Sequence, residues 1–524
     1  LRSRGIYLDD RARGRRLLLG QTTLHVEGRS VLDLPSAAVD LPATGAGVLP
    51  VRLAAAGGQL DLLDHTFDVH LFQLTRKPTS YRVALKGATR DAEDPGRFTL
   101  DARMDALHRP TSVSAALLQL ENLSLERLFP LLGLHGIGAP NTRIDGTLRV
   151  WREAGLARVQ LQLAGDRIKV VYPVLARRPV GPFPGKVTAE LTLDPRERSV
   201  TLSRLDISSG KVSARVQGQL TLVDGATHLA LDLEVPAVPC QTLLNSLPEG
   251  LAPALKGAYL KGELGASGRL RLRSDDLEQT EVDLTLTPLT CRMLVDPPAA
   301  DVNKLLQPIT VMVPGPGRTT SPWRLGEDSP DFSPYARLGR PIKAAFVAGE
   351  DNRFHWHNGF DSKQLRRAFI ANLQAGRAVR GASTISQQLI KNVFLHHGRT
   401  LSRKLQEAVL TWRLEQRVPK ARILELYLNV VEMGVKLRGV QQASRHYFDK
   451  MPAELTPLEA AHLAAITPFP RRPYDMLDAA GLPTKSWMER VHQLLRIMRR
   501  AHGLTEADLK RWTNSTLNLK RGPG

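Results

Sequence analysis

Residues 228–235 read HLALDLEV, with Leu229, Leu231, Leu233 and Val235 at every second position and polar or small residues between them. An extended chain points successive side chains to opposite faces, so this period of two predicts a strand with one apolar face. The pattern recurs on both sides: VQLQL at 159–163, VTAELTL at 187–193, LTLV at 220–223, LRL at 270–272 and VDLTL at 282–286. Turn signals Asp145-Gly146, Asp194-Pro195 and Asp224-Gly225 fall between these runs, where hairpins need them. Residues 1–295 are therefore expected to form an antiparallel β-rich domain, with helices only at 117–132 and 241–247. Such a run of strands makes a sheet with one greasy face, which has to be covered, closed into a barrel or used.

The period changes further along the chain. Residues 296–340 are rich in Pro, Gly and Ser (VPGPGRTTSP, EDSPDFSPYARLGRP) and read as a linker and lead-in. After Pro341 the apolar spacing becomes helical, as in 404–416 with Leu405, Ala408, Val409 and Trp412 on one face, and again in 423–428 and 457–465. The fold class that follows is multi-domain α+β. A β-rich domain at 1–295 precedes the lead-in at 296–340, a mainly α domain at 341–480 and a helical tail at 481–524.

Composition narrows the partners. The 524 residues carry a net charge of +20 with 42% hydrophobic and 24% charged residues, in the range of soluble multi-domain proteins. The excess of cations points to a polyanion: nucleic acid, an anionic membrane surface or a phosphorylated substrate. With no nucleic-acid-binding motif and only 5% aromatics to stack on bases, nucleic acid is the weakest of the three. No stretch of eighteen apolar residues is present to span a bilayer. The chain starts at Leu1, which leaves room for an anchor or signal ahead of it. Cys240 and Cys291 are either two unrelated buried thiols or one disulfide between β segments in an oxidising compartment.

Three blocks within sixty residues carry the chemistry: EDNRFHWHNGFD at 350–361, GASTISQQLIKN at 381–392 and RKLQEAVLTWRLEQ at 403–416. They bring two carboxylates, Glu350 and Glu407, into company with amides, hydroxyls and cations, a set suited to a sugar with an anionic leaving group. His355 and His357 flank Trp356, but two histidines without further ligands are thin ground for zinc. In this order and spacing the blocks closely resemble those of the peptidoglycan glycosyltransferases, the monofunctional biosynthetic transglycosylases among them. Glu350, Asp351, Phe354, His357, Gly359 and Asp361 match the first block. Gly381, Ser383, Thr384, Gln387, Gln388, Lys391 and Asn392 match the second, and Arg403, Lys404 and Glu407 the third. The likeness covers about residues 330–480. Ser444, Asp449 and Phe469 depart from it, standing where a small apolar residue, a glycine and a polar residue are usual. More loosely, the β-rich part resembles the AsmA-like domains of bacterial envelope proteins.

The resemblance implies a lysozyme-like helical domain that polymerises the lipid-linked disaccharide-peptide, lipid II, with inversion and release of undecaprenyl diphosphate. Glu350 would be the general base on the acceptor's 4-hydroxyl, a role favoured by partial burial after the apolar run 344–348. Lys391, Arg399, Arg403 and Lys404 would neutralise the diphosphate, Arg by forked hydrogen bonds and Lys as a point charge. Ser383, Thr384, Gln387, Gln388 and Asn392 would bond sugar and phosphate, while Asp351, Phe354, His357 and Gly359 build the site. Glu407 would orient the cations or hold a divalent ion, magnesium or manganese; its plainer reading is a helix-surface ion pair with Arg403.

Further expectations are a place on the periplasmic face of the bacterial inner membrane, with the growing glycan strand, the membrane surface and other cell-wall synthesis proteins as partners. The chain contains no Lys-Thr-Gly motif of the kind a transpeptidase domain carries, which fits a monofunctional enzyme. Two other readings compete. A lysozyme-like hydrolase also uses two carboxylates but has no diphosphate to hold. An envelope lipid-handling or scaffold protein would keep the transferase segment only as an inactive remnant.

Overall fold

The structure is a computed structural model that describes residues 2–9, 16–26, 29–40, 52–62, 65–89, 95–105, 113–126, 129, 136–314, 319–396, 398–434, 437–470, 476–478, 482–502 and 504–520. The chain divides into two compact units: residues 1–251 with 261–292, and residues 252–260 with 293–524.

Among the described residues the first unit holds eighteen strands in one antiparallel sheet. Its early part is folded over on itself. Leu34, Leu53, Val69, Phe72 and Leu85, from strands between Arg29 and Thr89, close a small buried core. From Tyr81–Thr89 onward the strands of this sheet pair consecutively. The last eight are β1 (Arg143–Glu153), β2 (Leu156–Val170), β3 (Val180–Asp194), β4 (Ser199–Ser209), β5 (Val212–Val223), β6 (Ala226–Pro239), β7 (Glu263–Arg273) and β8 (Glu281–Leu289). Asp224 and Gly225 both take positive φ, 50° and 82°, which makes them the two-residue turn between β5 and β6.

Of the two expected helices here, the one at 241–247 is found as Cys240–Asn245. The one at 117–132 is not. Residues 117–124 belong to the strand Val113–Ser124, paired with Arg97–Met104 on one side and β1 on the other. Asn122, at φ 52°, breaks the register between Leu120 and Leu123 and buries both, and this spacing of three imitates a helical face. Most of 127–132 lies outside the described residues. Cys240 and Cys291 are joined, with their Cα atoms 5.9 Å apart and a sequence separation of 51. Closing a loop of that length restrains the unfolded chain by roughly 4 kcal/mol in the chain-entropy picture.

Among the described residues the second unit is helical apart from one hairpin, Ile309–Pro314 with Thr320–Leu325, and the short strand pair Tyr259–Lys261 and Arg292–Val295. The stretch expected as a linker is therefore built into this unit. Val302, Leu305, Val311, Val313 and Leu325 are buried, and Arg413 forks onto Asp296 at 2.9 and 2.6 Å. The alternation Ile309, Val311, Val313 is short enough to be hidden by the surrounding Pro and Gly.

The helices that follow are α1 (Arg340–Glu350), α2 (Ser362–Gln374), α3 (Ile385–Phe394), α4 (Leu401–Arg417) and α5 (Lys420–Val430). After them come α6 (Gly439–Phe448), α7 (Pro457–Ile466), α8 (Lys485–His502) and α9 (Glu506–Thr513). α7 is buried from Ala460 to Ile466 without a break, as a helix apolar on every side must be. It is capped by Thr456 and Glu459, and it packs against α1 and α8. Two departures from the family pattern are explained locally. Ser444 is fully buried and donates its hydroxyl to the Lys450 carbonyl at 2.7 Å. Asp449 ends α6 in the left-handed region at φ 57°, where glycine is at ease and other residues are strained.

Candidate active site

Glu350 is the last residue of α1, after the buried run Ala345–Ala348 has committed that helix to the core. Half-buried, its carboxylate accepts from Gln388 Nε2 at 2.6 Å and from the hydroxyl of Thr467, just past α7. The Gln388 carboxamide has no freedom left: its oxygen faces the Tyr427 hydroxyl at 3.5 Å. Burial, with Glu350 and Asp351 nearby, keeps the Tyr427 phenol protonated far above its usual range.

Asp351 next to it is fully buried and ties the first two blocks together. One oxygen accepts from the Ile385 backbone N–H at 3.1 Å, at the positive end of α3, and the other lies 2.9 Å from His357 Nε2. His357 Nδ1 accepts from the Gly359 N–H at 3.1 Å, so the ring proton sits on Nε2 and is donated to Asp351. Gly359, at φ 90°, leaves no room for a side chain: a Cβ would stand 2.8 Å from Thr411 Cγ2. Its carbonyl accepts from Thr384 Oγ1 at 2.7 Å. Asp351, His357 and Asp361 offer atoms within 4.8 Å of one another. With both ring nitrogens of His357 engaged, the group is a hydrogen-bonded hub and does not suit a metal.

In the third block Glu407 is buried, at 2% exposure, and pairs with both Arg403 and Lys404. This is no surface ion pair. Arg403 Nε also donates to the Gly398 carbonyl at 2.7 Å, and Lys404 Nζ to Ser383 Oγ at 3.1 Å, which carries the second block to the third. Lys391, on α3, stands in the fields of both carboxylates. Burial pulls its ammonium below the ordinary lysine value, Arg403 and Lys404 adding to the effect, while Glu407 and Glu350 oppose it. A divalent ion at Glu407 does not fit. Each of its oxygens is taken by a cation, and Glu407 belongs to no cluster of three acidic or histidine side chains among the described residues.

The structure thus gathers Glu350, Gln388, Lys391, Ser383, Arg403, Lys404 and Glu407. It places Thr384 and Gln387 elsewhere: both are buried in the N-cap of α3, Thr384 Oγ1 accepting from the Gln387 N–H and Gln387 returning its carboxamide oxygen to the Thr384 N–H. Asn392 is nearly buried and Arg399 exposed before α4. Phe354 is fully buried under Lys420, whose ammonium lies 4.3 Å from its ring and 2.8 Å from Glu415. Two residues at the site escaped the sequence reading. Thr467 lies 117 residues from the carboxylate it serves, with no local signal. Arg490, half-buried on α8, feels the charge of Glu350 and lies 5.4 Å from the ring of Phe469. Phe469, Trp487, Arg490 and Arg496 line a cleft of about 820 Å³ there.

A helical unit carrying these three blocks has the make-up of a glycosyltransferase, and its relatives are of that class. Residues 320–499 match the family described as Transglycosylase. The biosynthetic peptidoglycan transglycosylase of Methylobacillus flagellatus is 43% identical over 168 residues, 31% of this chain and 73% of that protein. Those of Chromobacterium violaceum (44% over 169 residues, 31% and 74%) and Alcanivorax borkumensis (41% over 174, 33% and 71%) are alike. The chain belongs to the biosynthetic peptidoglycan transglycosylase family, and it is a glycosyltransferase of peptidoglycan biosynthesis. Residues 252–260 and 293–524 hold 36 of its 72 lysines and arginines but only 20 of its 52 carboxylates, so +16 of the net +20 sits in this unit.

Proposed function

We propose that the helical unit polymerises lipid II into glycan strands on a lysozyme-like scaffold, at the periplasmic face of the inner membrane. Glu350 takes the proton of the acceptor's 4-hydroxyl as its oxygen forms a bond to the donor's anomeric carbon from the face opposite the leaving group. The bond from that carbon to the diphosphate breaks, and the charge left on the diphosphate oxygen is received by Lys391, Arg403 and Lys404. Ser383 and Gln388 orient the sugars, with Arg399 reaching in from the exposed segment. Glu407 keeps Arg403 and Lys404 aimed, with no metal in the step.

The observation that carries this reading is Lys391, half-buried on α3 in the fields of the half-buried Glu350 and of the Glu407–Arg403–Lys404 cluster. A hydrolase needs the glutamates but not the cations, and an inactive remnant has no cause to keep a half-buried lysine in both fields. No helix among the described residues is long and apolar enough to cross a membrane.

The test is Glu350→Gln, which keeps the hydrogen bonds' shape and loses the base. With purified lipid II, polymer formation should fall by about a hundredfold or more while the circular dichroism spectrum stays the same. A variant that polymerises at close to the native rate ends the assignment of Glu350 as base. Release of water-borne sugars from preformed strands would instead favour the hydrolase.

A further inference from the structure

α1 and α7 approach each other closely near their C-terminal ends because Gly349 has no side chain. A Cβ there would stand 3.4 Å from Leu494 Cδ2 of α8 and 3.7 Å from Ala464 Cβ of α7. This approach sets Glu350, the next residue of α1, against Thr467, the C-cap of α7. The Thr467 hydroxyl faces two acceptors: Glu350 Oε1 and, one turn back at 2.8 Å, the carbonyl of Ala464. In a continuing helix that carbonyl would take the N–H of residue 468, but Pro468 has none to give. A hydroxyl has one proton to donate and two lone pairs with which to accept, so Thr467 can serve only one of the two acceptors at a time. The other oxygen of Glu350 is held differently. Oε2 accepts from Gln388 Nε2 at 2.6 Å, and the Tyr427 hydroxyl, 3.5 Å from the Gln388 oxygen, keeps the carboxamide from turning over. Gln388 can therefore only donate to Oε2, whatever the charge on Glu350.

Resting on the reading of Glu350 as general base, we propose that Thr467 is its positioning residue, a hydroxyl that reverses its hydrogen bond as the base is protonated. While Glu350 is ionised, the charge-assisted bond to Oε1 outcompetes the neutral bond to Ala464, and both carboxylate oxygens are held by donors. When the acceptor's O–H bond breaks, its proton bonds to Glu350, and the electron pair left on the oxygen forms the bond to the anomeric carbon. That proton does not settle on Oε2, which the Gln388 amide hydrogens face. It comes to rest on Oε1, where Thr467 accepts it and turns its own proton to the Ala464 carbonyl. From Oε1 the proton passes to water before the next addition. Thr467 thus keeps the base in one place through both of its charge states, which a second amide could not do. Lys391 of α3, Tyr427 of α5 and Arg490 of α8 also stand in the field of Glu350, and Asp351 adjoins it in the chain. A change at 467 leaves all four in place.

The experiment measures polymerisation of lipid II by the whole chain from acid to mildly alkaline pH, with Thr467→Val, Thr467→Ser and Glu350→Gln beside the native protein. Valine keeps the shape of threonine and removes the hydroxyl. The ionised base then loses a charge-assisted bond and the protonated base only a neutral one, so protonation is favoured. The acid limb of kcat/KM should move to higher pH by about one unit, a loss of about tenfold on that limb with a smaller loss on the plateau. Serine should restore the native limb. If valine disturbs α7, Thr467→Ala at this half-buried position carries the same test. An unmoved limb, a loss equal at every pH, or no rescue by serine would each overturn the proposal. Glu350→Gln separates the two levels. If it polymerises at close to the native rate, the base reading falls and this proposal with it. An inactive Glu350→Gln beside an unmoved limb removes the role of Thr467 alone.

Discussion

In the helical unit Ile385, Leu389 and Ile390 of α3 are fully buried, whereas the leucines of β8 stand 43–66% exposed although their strand is as regular as any helix. The two regions are held together by different means. α3 exists because its apolar face is covered and its N-terminus is capped; without the core, ten residues would not stay helical in water. β1–β8 exist because each backbone ladder supports the next, and their aliphatic face adds little until something lies on it. An amphipathic pattern thus reports that a face is meant to be covered, and only the structure says whether the protein covers it itself.

That contrast can be broken at single residues. Leu389→Ala should cost about 2–5 kcal/mol in urea unfolding, while Leu284→Ala should stay within about 0.5 kcal/mol. Equal costs would mean that the sheet's apolar face is already packed. Glu407→Ala leaves Arg403 and Lys404 facing each other without their shared anion and should destabilise the helical unit by about 3 kcal/mol. A loss near zero would return Glu407 to the class of surface pairs.

Acid should separate the units next. His462 is fully buried, accepts from Trp487 Nε1 at 2.9 Å and has its pKa pulled down by burial to about 3. Between its ordinary value of 6.5 and about 3, only the unfolded chain binds this proton. Stability of the helical unit should therefore fall on acidification by about 1.4 kcal/mol per pH unit from this group. His462→Gln should flatten that slope even if the protein is weaker overall; an unaltered slope would place the titration elsewhere. The smallest effect is a gain: Asp449→Gly relieves the left-handed residue at the end of α6 and should stabilise by about 0.5–1 kcal/mol, read as a raised unfolding midpoint.

Periodicity made most of this legible. The alternation around 228–235 and the helical spacing of 404–416 give the order of sheet and helices, but the face read from 404–416 is not the one that packs: Leu405 is exposed and Ala408, Val409 and Trp412 are half-buried, while Gln406, Glu407, Leu410 and Leu414 are buried. Where backbone geometry departs from a regular period, the reading failed: the bulge at Asn122 turned a strand into an apparent helix, and a short strand at Ile309–Pro314 vanished among prolines. The site was readable as far as its blocks are contiguous. Glu350, Lys391 and Glu407 announce themselves by type and spacing. Thr467 and Arg490 do not, since what brings them to Glu350 is the packing of α7 and α8. Nor does a sequence tell a threonine that caps a helix, such as Thr384, from a serine that faces a lysine, such as Ser383.

Gln388 gives its amide hydrogens to Glu350 and stands with its oxygen toward Tyr427, so three side chains share one orientation. Substitutions among them cannot act independently. Replacing Gln388 unsettles the carboxylate that Glu350→Gln would neutralise, and the double variant should lose less than the two single losses combined. Such non-additivity constrains how the site can change over generations: an altered amide at 388 is tolerated only alongside a compensating change at 350 or 427, which makes the trio one heritable unit.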